Sequence, residues 1–293
     1  MENKTLDPAA VRLAWRMTEP LHAMVYFVPE SQERFAAIGI PGAAGYFCSR
    51  AGALGSVGAG PVTATFYNFC PALIAAVLPA AWERATPAAA IAARLDAADA
   101  ALTRALGKDV LEGPEVAEAA QLARRAAESA TPYAYGRPLF AAYAELPWPE
   151  EPHLVLWHAQ TVLREFRGDG HVAALLVAGL SGLESMILQI AAGETDGPFL
   201  RRTRGWSPEE WAAAADSLRD RGLIEGGDEP TLTDAGREVR AGIEATTDRL
   251  GTPPYLVLGE QGCARLAALT RPLSRTIVKG GLLDLANSFV AMR

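Results

Sequence analysis

Slid against itself by 137 residues, the chain repeats its glycines and prolines in the same order. Gly42 falls on Gly179, Gly45 on Gly182, Gly60-Pro61 on Gly197-Pro198, Phe69 on Trp206 and Pro71 on Pro208, without a gap over residues 36–76. Leu21-His22-Ala23 matches Trp157-His158-Ala159 at an offset of 136, and Arg104-Ala105-Leu106-Gly107 resembles Asp248-Arg249-Leu250-Gly251 at 144. Gly and Pro mark backbone geometry, so their ordered recurrence points to one structural unit used twice. Pro132, Pro138, Pro147, Pro149 and Pro152 crowd the stretch between the copies, which reads as a linker. The expected organisation is a first copy over 1–130, a linker over 131–152 and a second copy over 153–293. Each copy is long enough to bury its own core.

The second copy spells out the unit. Ser207-Pro208-Glu209-Glu210 supplies an N-cap, a proline at the first helical position and an acidic first turn. Trp211, Ala215 and Leu218 then share a face, and Gly222 stops the helix. Leu223-Ile224-Glu225 and Thr231-Leu232-Thr233 flank Gly226-Gly227-Asp228, the composition of a two-stranded wing, after which Asp234 opens a long helix to Arg249. The first copy shows no wing, because residues 82–86 run straight into Pro87 and a helical 88–106. The predicted fold class is mainly α, with tandem winged-helix-like units of which the first is degenerate.

Composition narrows the function. A formal charge of −7 disfavours a partner bound chiefly through its phosphates, and Lys4, Lys108 and Lys279 are the only lysines. The longest apolar stretches, 71–82 and 172–183, fall well short of the roughly 20 residues of a spanning helix, so no membrane partner and a cytoplasmic location are expected. Cys48, Cys70 and Cys263 have no CxxC spacing and read as buried thiols. The Walker loop, GxGxxG, GxSxG, HExxH and Cys/His metal spacings are all missing, so no cofactor is identified and no metal ligands are assigned.

The run Arg204-Gly205-Trp206-Ser207-Pro208-Glu209-Glu210-Trp211, with Leu232-Thr233-Asp234-Ala235-Gly236-Arg237 after it, resembles the recognition helix, wing and exit helix of MarR-type winged-helix regulators. Through Tyr46-Phe47 and residues 63–71, 164–171 and 247–250, nearly the whole chain is also similar to an actinobacterial family known by its helix-turn-helix. The resemblance implies that the two copies form an intrachain pseudo-dimer, imitating the two-fold dimer that MarR proteins make from two chains. A monomer or a homodimer of the chain is then expected.

Residues 164–171 pack Arg164, Glu165, Arg167, Asp169 and His171 around two glycines, read as a helix end with a glycine turn. Such a group can orient a small polar ligand or perform acid–base chemistry, with His171 as general base and Asp169 or Glu165 orienting its ring. Arg164 and Arg167 would neutralise an anionic ligand. The alternative is a purely structural set of ion pairs. His22, with Tyr26 four residues on, and its counterpart His158 would approach a shared cavity across a pseudo-two-fold, and Tyr67 and Asn68 would line it. Arg201, Arg202 and Arg204 are the candidate DNA contacts, opposed by Glu209 and Glu210 at the start of the reading helix. The leading function is small-molecule binding on the duplicated scaffold, with or without catalysis, in an actinobacterial metabolic or biosynthetic pathway. The alternative is a MarR-like transcriptional regulator, and a protein-interaction module is a third reading.

Overall fold

A computed structural model describes residues 6–227 and 229–283. Asp228, assigned to the wing on sequence grounds, lies outside the described residues, as do both extreme ends of the two expected copies. The described chain is mainly helical. In order it runs through α1 (Pro8–Ala23), α2 (Pro29–Ala37), α3 (Ala43–Ala51), α4 (Ala59–Phe66), α5 (Pro71–Val77), α6 (Pro87–Leu106), α7 (Lys108–Leu111), α8 (Pro114–Ser129) and α9 (Pro138–Ala144). It continues with α10 (Pro152–Val177), α11 (Gly182–Ala191), α12 (Gly197–Thr203), α13 (Pro208–Asp220), β1 (Ile224–Glu225), β2 (Thr231–Leu232), α14 (Asp234–Gly251) and α15 (Gly259–Lys279).

The signals that start these helices are largely local. Pro occupies the first turn of α1, α5, α6 and α13, where a missing N–H costs nothing. Ser181 and Ser207 open α11 and α13 with reciprocal capping boxes to Glu184 and Glu210. The wing forms where expected, β1 pairing antiparallel with β2 through Ile224–Leu232 and Glu225–Thr231. In the first half, α5 is followed instead by a 3₁₀ turn at Ala80–Glu83 and then α6.

Three of the glycine and proline pairs related by the 137-residue offset hold similar places, while Gly45 lies inside α3 and Gly182 begins α11. Gly42 and Gly179 both adopt a left-handed φ, 61° and 64°, in the turns leading into α3 and α11. Gly60-Pro61 and Gly197-Pro198 lie in the first turns of α4 and α12, and Pro71 and Pro208 each begin a helix.

Two apolar cores form. The larger joins α1 to α9, most of α10 and α15 around Phe47, Phe140 and Phe166, with alanines of α6 (Ala90, Ala97, Ala101) and α8 (Ala119, Ala123, Ala126) letting helices approach closely. The smaller gathers Leu180, Met186, Leu200, Trp211, Leu218, Ile224, Leu232 and Ile243 under the wing. Fully burying one such side chain contributes about 1.5–3 kcal/mol. The proline-rich stretch is structured: α9 lies within it and buries Leu139, Phe140 and Tyr143. At the other extreme of the sequence, α1 packs along α15, and Ser274 Oγ donates to the Met17 carbonyl at 2.5 Å.

Candidate functional site

The glycine turn expected within 164–171 does not form. α10 is continuous through Gly168 and Gly170, and the glycine at 170 serves a close approach: a Cβ there would lie 2.9 Å from Arg137 Nη1 and 3.2 Å from Leu250 Cβ. Helical geometry then sorts the charged residues into two stripes. Arg164, Arg167 and His171 face α1 and α14. Arg164 Nε donates to Glu19 at 2.8 Å, Arg167 pairs with Asp248 at 2.8 Å, and His171 Nδ1 meets Thr247 Oγ1 at 2.9 Å. Glu165 and Asp169 lie on the other stripe, where Glu165 meets Arg50 of α3 and Asp169 accepts the Phe140 N–H of α9 at 2.9 Å. The ring of His171 is therefore oriented by Thr247, and neither carboxylate reaches it.

What the fold does assemble is a buried, arginine-rich cluster between α1, α3, α6, α9 and α10. Arg50 Nη2 donates to both oxygens of Glu165, at 3.1 and 2.9 Å, and its Nη1 to Tyr46 at 3.2 Å. Arg164 reaches the same carboxylate at 3.3 Å. Arg94, 2% exposed, donates to Tyr26 at 2.9 Å, to the Ser49 carbonyl at 3.3 Å and to Tyr143, and faces His22 Nε2 at 3.1 Å. His22 stacks on Trp157 with centroids 5.1 Å apart. Tyr26, Tyr46, Arg50 and Arg164 keep partial solvent contact and form the rim.

The electrostatics are unbalanced. Arg50 and Arg164 hold Glu165, Arg164 also holds Glu19, and Arg94 bonds only to neutral groups, so three guanidiniums stand against two carboxylates. Burial pushes the Glu165 carboxyl up, but Arg50, Arg164 and Arg94 outweigh it and hold it below the ordinary carboxylate range. Burial, reinforced by Arg164, Arg94 and Arg50, drives His22 well below its usual value, so the ring is neutral. A guanidinium has no lone pair to offer, so Nε2 accepts from Arg94 and the proton sits on Nδ1. That Nδ1–H is buried without a partner, as is Oε2 of Glu19. The Tyr46 phenol is raised by burial, yet Arg50 and Arg204 bring it below its ordinary value.

The remaining sequence candidates lie elsewhere. His158 turns its ring edge-on to Trp148 at 4.8 Å, and burial lowers it to about 4. Tyr67, at φ 59°, donates its hydroxyl to the Leu180 carbonyl at 2.6 Å, and the Asn68 carbonyl accepts Trp206 Nε1 at 3.0 Å. These two stitch the halves together. Burial raises Asp169 to about 7. Arg94, Tyr143 and Glu19 were missed by sequence reasoning. The signal for Arg94 is its place on the buried alanine stripe of α6, between Ala90 and Ala97, a position where a solvated arginine would not sit. Among the described residues no group of three or more His, Cys, Asp or Glu could hold a metal ion, and no single helix is long and apolar enough to cross a membrane.

The helix-turn-helix surfaces are distinctive. Arg201 lies over Trp211 at 4.6 Å, Arg202 over Phe199 at 5.9 Å and Arg204 over Phe69 at 4.5 Å. The exposed face of α13 carries Glu209, Glu210, Asp216 and Asp220, while Arg219 is spent on Asp216 and the Gly226 and Gly227 carbonyls. The turns ahead of α5 and α13 touch: the Cys70 N–H donates to the Arg204 carbonyl at 2.9 Å, and a Cβ on Gly205 would lie 2.7 Å from Leu73 Cβ.

A helix-turn-helix family model matches residues 11–284, nearly the whole chain, and the chain belongs to that family. No curated protein and no solved structure matches it.

Proposed function

We propose that this member of the helix-turn-helix family binds a small anionic molecule at the rim of the arginine cluster, on a scaffold of two winged-helix-like units fused into an intrachain pseudo-dimer. The observation that carries the reading is the charge excess. A buried guanidinium without its own counterion costs several kcal/mol, and a fold that keeps one has a use for an anion there. The orphaned Nδ1–H of His22 adds a donor, and the Tyr26 and Tyr46 rings, 5.5 Å apart, offer aromatic walls. The matching left-handed φ of Gly42 and Gly179 and the helix starts at Gly60-Pro61, Gly197-Pro198, Pro71 and Pro208 support the duplicated scaffold.

Thermal shift and calorimetric titration of the full chain with inorganic phosphate and benzoate test the reading. Stabilisation of wild type that is lost in Arg164→Gln, with helicity unchanged by circular dichroism, is the expected result. A wild type indifferent to both anions overturns it.

Family membership favours a second reading, a DNA-binding regulator in which α13 reads the groove. Two-fold operator readers hold their recognition helices about 34 Å apart. Here the turns preceding α5 and α13 are hydrogen-bonded to each other, and the outer face of α13 is acidic. Both features weigh against the second reading.

A further inference from the structure

Arg204 sits on the turn between α12 and α13, in the second half, yet its side chain lies against the arginine cluster of the first. Its guanidinium stacks 4.5 Å over Phe69, and Phe69 stands 5.5 Å from Tyr46, whose hydroxyl Arg50 holds. Arg50 stacks in the same way, 4.2 Å over Phe66, which meets Tyr46 edge-on. Each of two rings packed on Tyr46 thus carries a guanidinium. The turn is pinned by its own polar groups: the Arg204 carbonyl accepts the Cys70 N–H at 2.9 Å, and Trp206 Nε1 donates to the Asn68 carbonyl at 3.0 Å. Nothing comparable neutralises the cation. Among the described residues Arg204 pairs with no carboxylate; Nη1 donates to Thr203 Oγ1 at 2.8 Å and Nε is buried without a partner. Burial, to which Arg50 adds and which the Tyr46 phenol opposes, brings the guanidinium below its ordinary value.

The phenols supply further unused donors. Tyr46 accepts from Arg50 and Tyr26 accepts from Arg94, and neither O–H has an acceptor among the described residues. With Arg94 and Arg204 both lacking a carboxylate, four guanidiniums stand against Glu19 and Glu165, an excess of two positive charges. Arg204 and Tyr46 keep partial solvent contact, so a ligand can reach them.

We infer that Arg204 is an anion-holding residue of the rim site and that the ligand there is an aromatic dianion, an assignment that rests on the rim being a ligand site. An acidic group meets Arg204 and the Tyr46 hydroxyl, and the ligand's ring lies against Tyr46 and Tyr26. Charge and surface both select for it. A monoanion leaves one guanidinium uncompensated, and a dianion without a ring leaves the tyrosine faces uncovered. A phosphoryl group delivers both charges at Arg204, whereas a dicarboxylate divides them between Arg204 and Arg164.

The test is calorimetric titration of the full chain with phenyl phosphate and isophthalate, each beside the monoanion that differs by one ester methyl, methyl phenyl phosphate and monomethyl isophthalate. Buffer at pH 8 keeps the phosphate doubly charged, its second ionisation lying at about 6. At least one dianion is expected to bind at least about tenfold more tightly than its monoester. The tighter of the two identifies the source of the charge. Inorganic phosphate and glutarate, which carry the charge without the ring, are expected to bind at least about twofold more weakly than their aromatic counterparts. Arg204→Gln brings the dianion to within about threefold of its monoester, while Arg204→Lys, which keeps the charge, retains the preference. Arg201→Gln removes the same charge from the exposed face over Trp211 and leaves the preference unchanged. Equal binding of dianion and monoester by wild type, ringless anions binding as tightly as aromatic ones, or a preference that survives Arg204→Gln or falls equally in Arg201→Gln would each overturn the proposal. Anion binding that depends on Arg164 but not on Arg204 overturns the role of Arg204 and leaves the rim site standing, whereas a wild type that binds none of these anions overturns both.

Discussion

Glu165→Gln puts the charge excess to the most direct test. The side chain is 2% exposed and is shared by two cations, Arg50 through both oxygens at 3.1 and 2.9 Å and Arg164 at 3.3 Å. Gln keeps the shape and one acceptor oxygen, so the change removes charge and leaves packing alone. It leaves Glu19, paired with Arg164, as the one carboxylate against the three guanidiniums of the cluster. Removing one partner of a buried pair costs about 3–5 kcal/mol. Unfolding entropies of about 2.1 cal/mol/K per residue then place the melting midpoint of a cooperatively unfolding chain about 5–8 °C below wild type. The effect has a pH signature. The Glu165 carboxyl is depressed in the folded state, so its stabilisation is fully present above the unfolded carboxylate pKa and is lost as pH falls through the folded value. Calorimetric melting of both proteins should show the gap closing toward acid. Phosphate should stabilise the variant more than wild type, since the variant carries the larger excess. A loss below about 1 kcal/mol at neutral pH would mean that the guanidiniums are solvated, and the reasoning behind the rim site would fail.

Asp169 gives the opposite pH dependence: raised by burial to about 7 from the ordinary 3.8, it destabilises the fold as pH climbs between those values. Asp169→Asn keeps an acceptor for Phe140 N–H, and urea denaturation should show that slope flattened, with the variant at least as stable as wild type at pH 8. Gly182→Ala would set a Cβ 1.9 Å from the Tyr67 carbonyl oxygen, and a loss of about 3 kcal/mol or more is expected by the same method. Gel retardation with random duplex should show no retention at physiological salt, and nanomolar retention abolished by Arg201→Ala with Arg204→Ala would restore the regulator reading.

Where the signal is local, the sequence carried the fold. Ser207, Pro208, Glu210 and Gly222 delimit α13, and the β-branched runs around Gly226 delimit the wing, because caps and turns depend on neighbours within a few residues. Gly168 and Gly170 misled for the complementary reason. Gly170 accommodates Arg137 and Leu250, which are remote in sequence, and the helix runs through it undisturbed. The site was legible in part. His22, Arg164 and Glu165 belong to the cluster, but Asp169 and His171 were grouped with them by adjacency in sequence, which a helix turns into separation by face. The alanine stripe of α6 marks Arg94 as buried without naming its partners, Tyr143 lies in a proline-rich stretch that ordinarily signals open chain, and only tertiary packing brings the two to His22 and Arg50.

The pairing of α1 with α15 bears on how the chain is made. Gly259 leaves the ribosome 236 residues after Ala23, an interval of roughly 10–50 s at ordinary synthesis rates. Through that interval the flank of α1 that will hold Ser274 and the neighbours of Leu273 waits for its α15 partner. The dependence also runs backward. Nicking the segment between α14 and α15 and losing α15 would strip α1 of its most extensive packing partner, so damage near residue 252 is felt at residues 8–23.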